Sequence, residues 1–457
     1  MLIRFNVENF LSFNDVQEFS MTAGKTRTNS DRLYDDKSLK LIKFAAIYGA
    51  NASGKSNLIK AIDFARYVIV NKIPGNSLGL YSKVSKENIT KSSSFEFEIE
   101  VNGKYYAYGF KILLDEQLLK AEWLYEINKT GKDKEIFTRD IEKGEYSINK
   151  YIKGKKILAK LQVFIDVVKN DGAILFLQDL NKNKKELYKE SSELNIFKDI
   201  YNWFDKKLDV NYANRPLRNT QIDIFDENVS SKIEQYLKAF GTGICKVSTE
   251  EVSREFIKKK LPDFIIEDII KRLKEELKKN IGEKKLLLNA KGEGFFLFQI
   301  KDDESITYKI LKFNHNEDDI TFLLSEESDG TQRLMELLSV LLNDEEGKVF
   351  IIDELDRCLH PLLSKKFVST FLEIATKKNI QLIITTHESQ LMDLNLLRKD
   401  EIWLLNKNNQ GGTTIYPLDE YNERFDKKIV KAYLEGRYGG IPEFYDDLLY
   451  KESCEDF

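Results

Sequence analysis

The chain has 457 residues, 42% of them hydrophobic, and a formal net charge of −4. At about 150 residues per domain this allows two or three domains, or one head with a large insertion. The near-neutral balance excludes a global basic field that would draw the protein to nucleic acid or anionic lipid. Cys245, Cys358 and Cys454 lie far apart without a Cys-x-x-Cys pair, which points to reduced thiols in a cytoplasmic protein rather than to a zinc site or disulfide framework. The start, Met1-Leu2-Ile3-Arg4-Phe5-Asn6, lacks the pattern of a secretory signal. No stretch approaches the ~18 apolar residues of a membrane helix, so no membrane partner is expected.

In chain order, Ile3, Phe5 and Val7 alternate with polar residues and predict a half-buried strand. The apolar run 42–48 predicts a buried strand, and Leu58, Ile59, Ile62, Ala65 and Val68 predict a helix over 56–70. Strict alternation over 95–101 and the turn signal Asn102-Gly103 predict a hairpin, continued by strands at 105–114 and 118–127. These form an expected antiparallel side sheet. The stretch from about 158 to 280 reads as charged and helical, with a helix over 256–277 that Pro262 opens or kinks. Strands are expected at 284–289, 295–300 and 306–313, a helix after Gly330, and short buried strands at 349–352 and 381–385.

The chemistry sits between these elements. Gly49-Ala50-Asn51-Ala52-Ser53-Gly54-Lys55-Ser56, followed by Asn57, fits Gly-x-x-x-x-Gly-Lys-Ser between a predicted strand and helix. In that context backbone amides at the helix start face phosphates, Lys55 bridges the β- and γ-phosphates, and Ser56 ligates Mg²⁺. Asp353 and Glu354 end the apolar strand 349–352. Asp353 is the expected Mg²⁺ partner and Glu354 the residue that orients the attacking water, since phosphoryl transfer needs positioning and charge neutralisation more than covalent help. Ser328-Asp329-Gly330-Thr331-Gln332-Arg333 precedes a helix that Ser328 can cap.

The spacing of these segments resembles ABC-type ATPases. The resemblance implies that Ser328 and Gly330 form a signature segment reaching the γ-phosphate of ATP held by another subunit. It implies that His387, after the strand 382–384, is the switch histidine, and that Asp356 belongs to the loop crossing the dimer interface. It also implies a Gln that senses Mg²⁺ between the two halves, for which Gln178 is the candidate. Asp353 to Pro361, ending Leu359-His360-Pro361, resembles the RecF, SMC and OLD branch rather than transporters. Asn9-Phe10-Leu11-Ser12-Phe13, Glu327 to Thr331, Thr386-His387-Glu388 and Gly436 to Pro442 together resemble the bacterial abortive-infection AAA/ABC ATPases, a group that includes RloA and the PARIS ATPase AriA. One departure is Cys358, where that group often carries Ser.

What the resemblance implies is an α/β ABC-type P-loop head with a mixed central sheet, an antiparallel side sheet and a helical insertion. The expected division is 1–150 for the first half of the head, 151–285 for the insertion and 286–457 for the second half. The implied function is an ATPase using ATP and Mg²⁺ in antiviral defence. The implied partners are a second copy in an ATP-sandwich dimer or higher homo-oligomer, a separately encoded effector such as a nuclease or TOPRIM-like protein, and DNA or a phage protein as trigger. The rival reading is a RecF- or SMC-like DNA-repair clamp, with Lys153, Lys155, Lys156, Lys160 and Lys258-Lys259-Lys260 as a phosphate-contacting strip. A transporter ATPase and a structural role without hydrolysis are weaker alternatives. His315 reads as a surface residue, and the acids from Glu443 to Asp456 as a solvated tail rather than a nuclease site.

Overall fold

A computed structural model describes residues 1–457 apart from 37, 129–130, 149–153, 184, 190–191, 213–223, 280–281, 291, 317–319, 422–428 and 442–457. Lys153, Pro442, Cys454 and the acidic tail therefore lie outside the described residues. The chain divides into two compact units. The first comprises Met1–Leu208, Glu346–Asp353 and Ala375–Phe457, and the second Asp209–Glu345 and Glu354–Ile374.

The core of the first unit is a sheet whose strands Val349–Ile352, Gln381–Thr385, Phe44–Gly49 and Ile402–Lys407 run parallel in that spatial order. Thr413–Pro417 adds an antiparallel edge. The first three strands are wholly buried, as near-continuous apolar runs in a covered parallel sheet must be. Register decides the chemistry. Ile352 stands beside Ile384, and Thr385 beside Ile47, so Asp353, Thr385 to His387 and the glycine loop all emerge at the carboxyl edge. That edge is where open α/β sheets bind ligands.

A seven-stranded antiparallel sheet accompanies it, in the order Glu145–Ile148, Lys134–Asp140, Leu118–Glu126, Lys104–Leu113, Ser93–Val101, Leu2–Glu8, Gln17–Ser20. The Asn102-Gly103 turn has positive φ at both residues, 53° and 75°, as a type I′ hairpin requires. Buried Gln381 ties the two sheets together. Its side chain accepts from Leu2 N at 2.7 Å and donates to Leu2 O at 3.0 Å and Ile42 O at 3.1 Å.

The second unit carries an antiparallel sheet ordered Lys246–Val252, Ile306–Asn314, Gly294–Ile300, Lys284–Ala290. The helix Asp263–Lys279 packs Ile266, Ile269, Ile270 and Leu273 against Phe296, Phe298 and Ile310 of this sheet. The expected single helix over 256–277 is two, Arg254–Lys260 and Asp263–Lys279. Pro262 breaks the run because the residue before a proline is pushed to extended geometry, and Leu261 has ψ 141°. The stretch expected as a helical insertion is largely helical but contains the strand Lys246–Val252, residues 155–207 pack within the first unit, and the strand expected at 284–289 is present as Lys284–Ala290. Among the described residues no helix is long and apolar enough to cross a membrane.

Candidate nucleotide site

In the first unit, the helix Lys55–Val70 begins directly after the glycine loop. Its sixteen residues carry a continuous buried face from Leu58 to Val70, so the loop sits on a rigid mount. Gly54 has φ 111°, and a Cβ there would meet Thr413 Oγ1 and stand 2.9 Å from Ser12 Oγ. Only glycine combines that backbone with that clearance. Lys55 is buried, and its Nζ donates to Gly49 O at 2.7 Å and Ala50 O at 3.1 Å.

Asp353 is buried at the end of its strand. One carboxylate oxygen, Oδ1, accepts from Thr385 Oγ1 at 2.6 Å and from Ser56 Oγ at 3.3 Å. A hydroxyl and a carboxylate oxygen beside a phosphate loop are the hard donors that Mg²⁺ takes from protein, most of its shell being water and phosphate oxygen. Ser56 and Asp353 thus fit the ion. His387 is exposed just beyond this edge, after buried Thr386, whose N–H donates to Ile47 O at 3.1 Å.

The loop is braced by residues whose part the sequence does not announce. Thr413 Oγ1 donates to Ser53 O at 2.8 Å and lies 2.8 Å from Ser12 Oγ, and Asn57 Nδ2 donates to Ser12 Oγ at 2.9 Å. The Asn-Phe-Leu-Ser-Phe segment is therefore a bracket on the phosphate loop. Its Asn9 side chain donates to Asn88 O at 2.9 Å and Lys91 O at 2.8 Å. At the other end of the chain, Tyr433 packs edge-on against Tyr48 with centroids 5.9 Å apart and donates to Gly440 O at 3.0 Å. The Gly436 to Ile441 segment is thus seated near the strand that feeds the loop.

Gln178 sits on a helix that touches the helix of the phosphate loop. It lies in the helix Phe176–Asn183, buried, with its Nε2 lacking a hydrogen-bond partner. Among the described residues it makes no hydrogen bond to Ser56 or Asp353. The start of that helix is held from the side sheet. Buried Glu122 accepts from Phe176 N at 2.8 Å and Leu177 N at 3.1 Å while pairing with buried Arg139 at 3.1 Å.

In the second unit, the helix Asp329–Leu341 starts at the signature segment. Ser328 is exposed and caps it, its Oγ accepting from Thr331 N at 3.2 Å. A Cβ on Gly330 would stand 2.9 Å from Cys358 O, so the glycine is required by packing within the chain as well as by any ligand. Glu354 is half-buried with φ 51°, and Cys358 has φ 62°. Left-handed geometry at a non-glycine residue costs roughly 1–2 kcal/mol and marks a segment the surrounding fold holds in place. Asp356 lies between them, half-buried. Arg333, buried on the signature helix, is the residue that sequence reasoning passed over. Its Nη1 donates to Asn211 Oδ1 and Glu336 Oε2, each at 3.0 Å, and its Nη2 to Glu354 O at 3.4 Å. The signature helix is thereby fastened to the backbone of the expected catalytic glutamate.

A parallel core with a phosphate loop and an acid-ended strand at its carboxyl edge, beside an antiparallel side sheet, defines a P-loop NTPase fold. The chain belongs to the family described as "AAA domain, putative AbiEii toxin, Type IV TA system", whose model matches residues 44–393. No curated protein matches it. Among solved structures it is similar to the SMC head domain from Thermotoga maritima, at 14% identity and a TM-score of 0.38, covering 91% of this chain and 98% of that one. It is similar to an Smc head bound to the C-winged helix domain of ScpA, at 13% identity and 0.43, covering 91% and 98%. A third is the Smc head domain with an extended coiled coil bound to the C-terminal domain of ScpA derived from Pyrococcus furiosus, at 16% and 0.36, covering 95% and 99%. At similarities of this size the fold assignment rests on the topology and register above.

Proposed function

We propose that the protein hydrolyses ATP as a dimer closed around two nucleotides, each held between Lys55 of one chain and Ser328 of the other, and that this closure controls a separate effector in anti-phage defence. The observation that carries the reading is the single Asp353 oxygen shared by Ser56 and Thr385 beside the buried Lys55 of a glycine loop. Lys55 and the loop amides, Gly49 and Asn51 to Ser56 among them, neutralise and orient the phosphates. Ser56 and Asp353 hold Mg²⁺, which when bound screens charge on the β- and γ-phosphates. Glu354 positions the attacking water. His387, exposed at the same carboxyl edge as Asp353, contacts the γ-phosphate. Exposed Ser328 reaches across to the partner's nucleotide, with Gly330 beneath it and Asp356 at the interface.

The family description reads "putative AbiEii toxin, Type IV TA system", which supports a defence role and a partner encoded beside the chain. RloA-like and AriA-like systems are the arrangement this proposal follows. The test is a Lys55→Ala strain. Loss of ATP turnover in the purified variant together with loss of phage protection is expected; unchanged plaque counts would remove the defence assignment while leaving the ATPase.

The DNA-clamp reading has less beneath it. In the Lys258–Lys260 run, Lys258 pairs with Asp263 at 3.3 Å and Lys260 with Glu293 at 2.8 Å, so much of that charge is already answered within the fold. Tight, salt-sensitive DNA binding by the purified protein would favour the clamp.

A further inference from the structure

The residue just before the signature segment is held by a side chain distant in sequence. Glu327 exposes only 5% of its side chain, and its Oε1 lies 2.8 Å from His315 Nε2. His315 follows the strand Ile306–Asn314 and stacks edge-on against Phe322, centroids 5.3 Å apart. Its carbonyl accepts from Cys245 Sγ at 3.4 Å. The half-open ring is therefore held by two contacts and its backbone by a third. The Glu327 backbone is fixed too. Its N–H donates to Leu324 O at 3.1 Å, and its carbonyl accepts from Gln332 Nε2 at 2.8 Å. The next residue is Ser328.

A buried carboxylate without a partner is costly, and a histidine nitrogen is the group that answers this one. We propose that His315 is a positioning residue for nucleotide turnover: by holding the buried Glu327 carboxylate it sets the direction in which Ser328 leaves the sheet-to-helix turn and meets the partner-bound ATP. This rests on the sandwich dimer proposed above. His315 touches no nucleotide in this scheme. Its effect passes through Glu327 and appears at the site whose phosphate loop belongs to the other chain.

That crossing gives a readout that a purely structural role would not produce. In homodimers, His315→Ala is expected to lower kcat by roughly tenfold to a hundredfold, the rate equivalent of a hydrogen bond to a charged group. His315→Gln, whose amide can donate to Glu327, is expected to restore most of that loss. The decisive experiment co-expresses two differently tagged chains and isolates the mixed dimer through both tags. A Lys55→Ala chain keeps its signature, and a His315→Ala chain keeps its phosphate loop. One composite site is then whole, and turnover should rise well above that of either parent dimer. A control mixture pairs Lys55→Ala with Ser328→Arg. Recovery in the control without recovery in the His315 mixture overturns the His315 assignment alone, as does full activity of the His315→Ala homodimer. No recovery in either mixture overturns the sandwich and this proposal with it. Should His315→Ala fail to fold, Glu327→Gln takes its place in the mixture with the same expected recovery.

Discussion

Gly330→Ala sets two effects of comparable size against each other. Position 330 is helical, at the start of Asp329–Leu341, where alanine is favoured over glycine by up to about 1 kcal/mol. Against this, the added Cβ would stand 2.9 Å from Cys358 O. That carbonyl belongs to a residue already held at φ 62°, so it has little freedom to withdraw. Overpacking against an unyielding neighbour costs roughly 1–3 kcal/mol. The net is a stability loss of about 0–2 kcal/mol. The consequence for turnover is larger, because relief of the clash moves the signature turn, and a shift near 1 Å at a site that positions phosphate costs on the order of a hundredfold. Differential scanning fluorimetry with phosphate release at saturating ATP measures both. A small drop in Tm with a large drop in kcat is expected. A raised Tm with undiminished turnover would refute the claim that Gly330 and Cys358 pack as a unit.

Two further outcomes follow from buried groups. Thr413→Val keeps the shape but removes the donor to Ser53 O, so about 1–3 kcal/mol of stability is lost; calorimetric titration should show ATP affinity weakened about tenfold as the loop loosens, and unchanged affinity contradicts the bracing role. Glu401 is buried, and desolvation pushes its carboxyl from the ordinary 4.5 up to about 8, against the backbone donation from Arg398 N. The folded state thus holds a proton that the unfolded state releases above 4.5, and stability falls as pH rises from that value to about 8. At about 1.4 kcal/mol per pH unit the span is on the order of 5 kcal/mol. Glu401→Gln should flatten this slope in denaturant titrations between pH 5 and 9; an unchanged slope assigns the loss to other groups.

The phosphate loop, the acid-ended strand and the signature helix were legible in sequence because each is a local pattern. A loop between an apolar run and a 3.6-period face, or carboxylates after four apolar residues, needs no distant partner to be seen. The bracing was not legible. Ser12 and Thr413 are 401 positions apart, and Thr385 earns its place only through the parallel register that sets it beside Asp353. Arg333 reads as an ordinary helical arginine until the fold brings Asn211 and Glu354 to it. His315 is a surface residue, as expected, but nothing in sequence links it to Glu327. Within the region expected as helical, which is largely helical, one strand escaped notice for a physical reason. The charged strand Lys246–Val252 lies at an edge of the second unit's sheet with most residues at least half-exposed, and such a strand lacks the apolar alternation by which strands are recognised.

The central claim is that one chain cannot complete its own nucleotide site, and the Glu354→Gln protein tests it most directly. With ATP and Mg²⁺ it should double its mass in light scattering, retain ATP and release little phosphate. The same protein carrying Ser328→Arg should stay at its nucleotide-free mass. An unchanged mass on ATP binding, or phosphate release by Glu354→Gln at the unmodified rate, would contradict the account.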